Sequence, residues 1–409
     1  MMDAGSGVGV AQSRAAIRSL GASKIREVAN AGMGRADVLP FWFGESDRPT
    51  PAPIADAARQ ALADGAVFYT HNLGNAPLRE ALARYVSDLH GATEVSNIGV
   101  TSAGVNALML CAQLLLDPGD EVVAVTPLWP NLLEIPRILG ASVRTVALDN
   151  AQGRWRLDLD RLLDAITPRT RMVFINSPNN PTGWVMTREE QRAVLDHCRR
   201  LGVWIVADDV YERLYYGRAE GDAPLPSGQA SEAGSARAAS SFLDLASRDE
   251  RVVSVNSFSK AWLMTGWRIG WITAPQALSE DLGKLIEFNT SCAPDFVQRA
   301  AQAALAEGEA IVRSVRDDLR AKRDHLAGAL AALPGVEAAA PDGAMYVFFS
   351  MPGADDSVAL CKRLVAEAGL GLAPGAAFGP AGEGHVRWCY ARALPALDEG
   401  VARLARFLG

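Results

Sequence analysis

Short apolar, β-branched runs recur along this chain, and each one stops at a cluster of small or polar residues. Such runs occupy positions 98–101, 121–125, 172–175, 203–207 and 251–256, and their length and boundaries predict buried strands. Helical patterns lie between and after them, including an apolar one over 107–116 and a long one over 307–333. Strands alternating with helices predict an α/β fold on a mostly parallel sheet covered by helices. Two further runs, 343–349 and 385–390, predict strands near the C-terminus. Segment 217–241 breaks the pattern, being rich in Ala, Gly, Ser and Pro. It is expected to be a mobile surface loop, either covering a site or forming a solvated insertion. No internal repeat is evident.

Ligands of open α/β sheets bind at the carboxyl ends of the strands, so the residues after each run carry the functional argument. After 98–101 come Ser102, Ala103, Gly104 and Val105, small residues whose free N–H groups at a helix start suit an anion; an ordinary helix start has the same composition. After 121–125, Trp129 either stacks on a planar ring or fills the core. After 172–175, the loop Asn176-Ser177-Pro178-Asn179-Asn180-Pro181-Thr182-Gly183 is fixed by prolines and can aim amide side chains. After 203–207, Asp208 needs a positive partner if buried, and a protonated pyridine nitrogen is one; its alternative use is to cap the following segment. Tyr211 lies three residues on.

The last run ends at Ser257-Phe258-Ser259-Lys260, followed by Gly266-Trp267-Arg268-Ile269-Gly270. A desolvated lysine amine loses its charge readily and forms a Schiff base with an aldehyde. Ser257 and Ser259 add hydroxyl donors, and Arg268 offers a guanidinium fork for phosphate oxygens. Together these strand ends describe a planar, phosphorylated pyridine aldehyde bearing a hydroxyl, which is pyridoxal 5'-phosphate.

Composition narrows the surroundings of this chemistry. A chain of 409 residues, 49% hydrophobic and 21% charged, can bury a large core and is expected to form two domains. A formal net charge of -7 gives no support to a nucleic-acid partner. The cysteines at 111, 198, 292, 361 and 389 are scattered without Cys-x-x-Cys spacing, which argues against metal sites and disulfides and for reduced, mostly buried thiols. The first 23 residues lack a signal-peptide apolar region, and no run reaches the length of a membrane span. A cytoplasmic protein with no membrane partner is expected.

On these motifs the chain resembles the class I/II aminotransferases of fold type I, similar to the aspartate and aromatic amino acid aminotransferases. The resemblance covers nearly the whole length, and the Asn-Ser-Pro-Asn-Asn-Pro-Thr-Gly loop, Asp208 with Tyr211, and Ser257-x-Ser259-Lys260 with Arg268 appear in family order. It implies a large domain with a mostly parallel seven-stranded sheet over 51–295. A smaller α+β domain is implied over 296–409, joined by residues 1–50. It also implies that Lys260 carries the cofactor and shuttles the substrate proton, with Asp208 on the pyridine nitrogen. Asn180 and Tyr211 would hold the ring oxygen and Trp129 the ring face, with Ala103, Gly104, Val105, Ser257, Ser259 and Arg268 around the phosphate. Arg387, Asn180 and Gly44 would take the substrate α-carboxylate; without the family, Arg387 reads as a solvated charge on a strand. Ser46 stands where the family has proline. Tyr69 would reach the phosphate of a neighbouring subunit in a homodimer.

The activity implied is ping-pong transamination from an L-amino acid to a 2-oxo acid. The same cofactor frame also serves a carbon–sulfur β-lyase, and a ligand-sensing domain without catalysis is a distant alternative. For the substrate side chain, Lys24, Arg48 and His71 are candidates to meet a second carboxylate, and Trp42 to line an apolar pocket.

Overall fold

The computed structural model describes residues 12–217 and 237–409. Its centre is a seven-stranded sheet of β1 (Ile98–Thr101), β2 (Glu121–Thr126), β3 (Ser142–Ala147), β4 (Thr170–Asn176), β5 (Trp204–Asp208), β6 (Val252–Ser257) and β7 (Gly270–Thr273). The strand order is β1-β7-β6-β5-β4-β2-β3. All neighbours run parallel except β7, which is antiparallel to both β1 and β6. The interior parallel strands are buried almost throughout because helices cover both faces: every residue of β6 is buried, and only the first residue of β5 is not, whereas the edge strand β3 is largely exposed.

The helices that position the site are α1 (Lys24–Gly32), α2 (Ala52–Ala63), α3 (Ala76–His90), α4 (Gly104–Leu115), α5 (Asn131–Ile138), α6 (Arg188–Leu201), α7 (Asp295–Ala306) and α8 (Gly308–Ala331). Sequence chemistry sets their ends. Thr187 and Glu190 form a reciprocal capping box at the start of α6, and Gly202 closes it in the left-handed conformation, the arrangement that satisfies orphan backbone groups at both termini. The long pattern expected at 307–333 is α8, and its buried Val312, Val315, Leu319, Leu326 and Leu330 follow the helical period.

A second sheet of three antiparallel strands, β8 (Tyr346–Ser350), β9 (Ala373–Pro374) and β10 (His385–Cys389), has β10 in the middle. Among the described residues three large apolar clusters result. One packs helices α2, α3 and α7 on the seven-stranded sheet, with Phe258, Trp262 and Trp271 at its heart. The second gathers Ile25, Val28, Phe41 and Trp42 with β8, β10 and residues up to Leu404. The third packs α4 and α5 on the other face of the seven-stranded sheet, with Leu110, Leu132, Phe174 and Val206. Four of the five cysteines are buried and Cys292 is half-buried, all as free thiols. No helix among the described residues is long and apolar enough to cross a membrane.

Segment 217–241 departs from expectation at its end. Positions 218–236 lie outside the described residues, but Ala238, Ala239, Ser240 and Ser241 are buried. Gln191 Nε2 donates to the Ser240 carbonyl at 2.8 Å, and the Ser241 hydroxyl donates to Asp209 at 2.9 Å. These side chains are small because they pack beneath larger neighbours, Ala239 against Val185 and Tyr215.

Candidate active site

The five runs singled out from the sequence are β1, β2, β4, β5 and β6, and their carboxyl ends converge on one cavity of about 500 Å³. Gly44, Gly104, Val105, Trp129, Asn180, Asp208, Tyr211, Ser257, Ser259, Lys260, Arg268 and Arg387 all border it. Ala103 sits just behind as the N-cap of α4, at φ 122°. Tyr69 is 89% exposed and does not border the cavity of its own chain.

Close backbone approach shapes the corner of the cavity at the start of α4. Gly270 lies where a Cβ would come within 2.6 Å of the Asn256 carbonyl and 2.9 Å of the Gly104 nitrogen, so only glycine lets β7 sit between β6 and the start of α4. The Ser257 hydroxyl donates to the Ile269 carbonyl at 3.2 Å and lies 2.9 Å from the Ser259 hydroxyl. Arg268, at φ 53°, donates to the Thr265 carbonyl and keeps its other donors for the cavity.

Asp208 is 4% exposed, and no helix follows it, so it is not a helix cap. One carboxylate oxygen accepts from the Val210 N–H at 3.3 Å. Burial outweighs that bond and the attraction of Lys260, and pushes the carboxyl up to about 7. A buried acid this short of donors fits a cationic nitrogen in the cavity.

Lys260 reaches the Gly44 carbonyl and lies 5.6 Å from the Tyr211 ring centroid. Burial pulls its ammonium down to about 8, opposed by Cys389 and Glu45 and helped by Arg387 and Arg268. A Cβ on Gly44 would collide with the Tyr346 hydroxyl. That hydroxyl is also 2.6 Å from the Tyr211 hydroxyl, and burial raises both phenols.

Arg387 is buried at 2% exposure, not solvated. Strand β10 carries it inward, between the Tyr346 ring at 4.3 Å and the Phe378 ring at 4.9 Å. It donates to Asn180 Oδ1 at 2.8 Å and to the Trp42 carbonyl, and among the described residues its Nε has no partner. A buried guanidinium with no carboxylate against it is short of an anion.

Lys24, Arg48 and His71 do not border the cavity. Lys24 is exposed because α1 buries Ile25, Val28, Ala29 and Gly32 instead. Arg48 pairs with Asp318 at 3.4 Å, and His71 accepts from the Leu73 N–H. The Trp42 ring packs against Gly32 and Gly371 in the second cluster, leaving only its carbonyl toward Arg387. Sequence reasoning missed Arg26, Phe43, Glu45, Asn131 and the site role of Tyr346. For Arg26, the helical period of α1 placing Ile25 inward was the available signal.

Behind the strand ends, His90 at the end of α3 bridges Glu212 at 2.9 Å and Asp244 at 2.7 Å. Asp209 accepts from Ser254 and Ser241. Burial opposes the charge on His90, but the two carboxylates win and push it up to about 10.

Residues 36–404 match the sequence profile described as Aminotransferase class I and II. The aspartate/prephenate aminotransferase of Thermus thermophilus is 36% identical over 383 residues, spanning 91% of each chain. The aspartate aminotransferase of Pyrococcus horikoshii is 31% identical over 390 residues, spanning 94% of each. A mutant of Thermus thermophilus aspartate aminotransferase superposes with a TM-score of 0.86 at 32% identity, covering 97% of this chain and all of that one. With a profile match over most of its length and relatives above 30% identity end to end, the chain belongs to the class I and II aminotransferases.

Proposed function

We propose that the protein is a pyridoxal-phosphate-dependent aminotransferase that moves the amino group of an L-amino acid to a 2-oxo acid in two half-reactions. The observation that carries the reading is one cavity bordered by a lysine of lowered basicity, a donor-poor buried carboxylate and a buried guanidinium without an anion. Bound there, pyridoxal phosphate would supply the carbonyl that takes the amino group and the electron-withdrawing ring that accepts the charge left by the α-proton.

The residues present fit that group. Asp208 is placed to keep a ring nitrogen protonated, and Asn180 and Tyr211 to hold a ring oxygen. Trp129 offers a face. The start of α4 (Ala103, Gly104, Val105) with Ser257, Ser259 and Arg268 offers donors to a phosphate. Lys260 would hold the cofactor through its amine, and as a free amine it would be placed to take the substrate α-proton and return it. Arg387 fixes the α-carboxylate, with Asn180 and the Gly44 backbone beside it, so that the Cα–H faces the lysine.

Organisation is part of the proposal: 51–295 as the cofactor unit and 1–50 with 296–409 as the smaller one, in a cytoplasmic homodimer. Exposed Val67, Phe68, Tyr69 and Phe288 support a face that a second copy covers, bringing Tyr69 to the neighbour's phosphate. The test is to load purified protein with pyridoxal phosphate, offer amino acids one at a time, and follow the cofactor absorption and 2-oxo acid release. Borohydride should fix the cofactor on Lys260. Pyruvate and ammonia appearing without an added oxo acid would replace transamination with β-elimination.

A further inference from the structure

We propose that Tyr346, the first residue of β8, is a positioning residue that ties the group holding the ring oxygen to the group holding the substrate carboxylate. Its hydroxyl supports Tyr211 and its ring supports Arg387. The inference rests on the transaminase reading above and adds a residue to its machinery.

The small sheet brings the tyrosine to this place. Tyr346 pairs with Cys389 across β8 and β10, and Phe348 pairs with Arg387, so Tyr346 and Arg387 are diagonal neighbours on one face. The Arg387 guanidinium accordingly lies 4.3 Å from the Tyr346 ring centroid, a shelf that holds a cation without using its N–H donors. The hydroxyl of that ring lies 2.6 Å from the Tyr211 hydroxyl, and it fills the space where a Cβ on Gly44 would stand. One side chain thus meets Tyr211, Gly44 and Arg387. Tyr346, Tyr211 and Arg387 are all buried in the single chain, so these contacts are made inside one copy whatever docks against it.

Counting protons gives the direction of the bond between the phenols. Burial raises both, Tyr346 to about 12, so each keeps its proton at neutral pH and has one to give. When Tyr211 gives its proton to the ring oxygen, the short bond between the hydroxyls has to run from Tyr346 to Tyr211. The Tyr346 hydroxyl makes no other hydrogen bond among the described residues. A hydroxyl that accepts a hydrogen bond donates a stronger one. Tyr346 therefore makes Tyr211 a better donor to an oxygen anion, while its ring keeps Arg387 aimed. Phenylalanine at this position would keep the shelf and remove the hydroxyl, and leucine would remove both.

The experiment titrates the absorbance of the pyridoxal-phosphate-loaded protein with pH in wild type, Tyr346→Phe, Tyr211→Phe and the double variant. That absorbance changes as the proton beside the ring oxygen is lost, and a stronger donor to the oxygen lets the proton leave at lower pH. Tyr346→Phe should move the midpoint up by about half a unit or more, the equivalent of one neutral hydrogen bond. Tyr211→Phe should move it further, and adding Tyr346→Phe to it should move it no more, because the Tyr346 hydroxyl acts only through Tyr211. Steady-state kinetics separates the ring from the hydroxyl: KM for the amino donor should stay within about threefold of wild type in Tyr346→Phe and rise about fivefold or more in Tyr346→Leu. A Tyr346→Phe midpoint within about 0.2 unit of wild type, or a shift of the same size in the Tyr211→Phe background, overturns the proposal and leaves the transaminase reading standing. An unchanged KM in Tyr346→Leu overturns the role given to the ring. Protein that takes up no pyridoxal phosphate sinks the parent reading and this one with it.

Discussion

Arg387 Nη1 donates to Asn180 Oδ1 at 2.8 Å, joining strand β10 to the loop after β4 across 207 positions of chain. The bond aims the guanidinium before any substrate arrives. It also ties the three-stranded sheet to the seven-stranded one at the point where both border the cavity.

Replacing Arg387 with Ala should lower kcat/KM for every amino acid by about 10²- to 10⁴-fold, the range for losing a paired set of charge-assisted hydrogen bonds. Arg387→Lys should recover little, because a lysine cannot make the bidentate pair or stack between Tyr346 and Phe378. Steady-state kinetics checks both. Near-complete rescue by lysine would mean that a point charge suffices.

The lowered Lys260 ammonium makes a pH prediction for cofactor-free protein. The neutral amine is the nucleophile, and with the group pulled down to about 8 its neutral fraction saturates well below the ordinary lysine range. Covalent capture of pyridoxal phosphate, followed by absorbance, should therefore accelerate with pH and level off just above pH 8. A rate still climbing at pH 10 would contradict the burial argument. Lys260→Ala should remove the band and cut turnover at least about 10²- to 10⁴-fold.

Asp208 is buried at a cost in stability. Its carboxyl is raised to about 7 in the fold, so the folded state binds its proton more tightly than the unfolded chain does. The penalty is absent below the unfolded value near 4, grows between there and pH 7, and is complete above. Asp208→Asn should thus raise the Tm of the cofactor-free protein at pH 8 and leave it unchanged below pH 4, by scanning calorimetry. The same variant should bind pyridoxal phosphate more weakly.

His90 has the opposite sign. Its imidazolium is raised to about 10 by Glu212 and Asp244, so its stabilisation is fully present below pH 6.5 and is lost as pH rises through 10. His90→Gln should cost about 3–5 kcal/mol near pH 6, as for breaking a buried ion pair. Denaturant titrations should show the gap from wild type narrowing toward pH 10. A constant gap would mean that packing, not charge, is lost.

Strand ends were the legible part of this chain. β-Branched runs stop where the cavity begins, so Asp208 and Lys260, which border it, are picked out by what precedes them. Side chains whose direction depends on distant packing were not legible. Arg26 reaches the cavity only because α1 buries Ile25 and Val28 in the second cluster. The Trp42 ring turns away because Gly32 and Gly371 leave room for it. Arg387 is inward because the face of β10 that carries it is covered by the Tyr346 and Phe378 rings. Ala238 to Ser241 looked like exposed loop because small residues under a packed layer and small residues in solvent have the same composition.

The tight meeting of Gly270 with Asn256 and Gly104 has one more consequence. Three chain segments are locked there at a spacing no side chain could share, so this corner of the cavity is rigid before anything enters it. In the proposed reading a phosphate bound there would meet donors whose conformational entropy was lost during folding, and its binding free energy would go into holding the rest of the molecule in place.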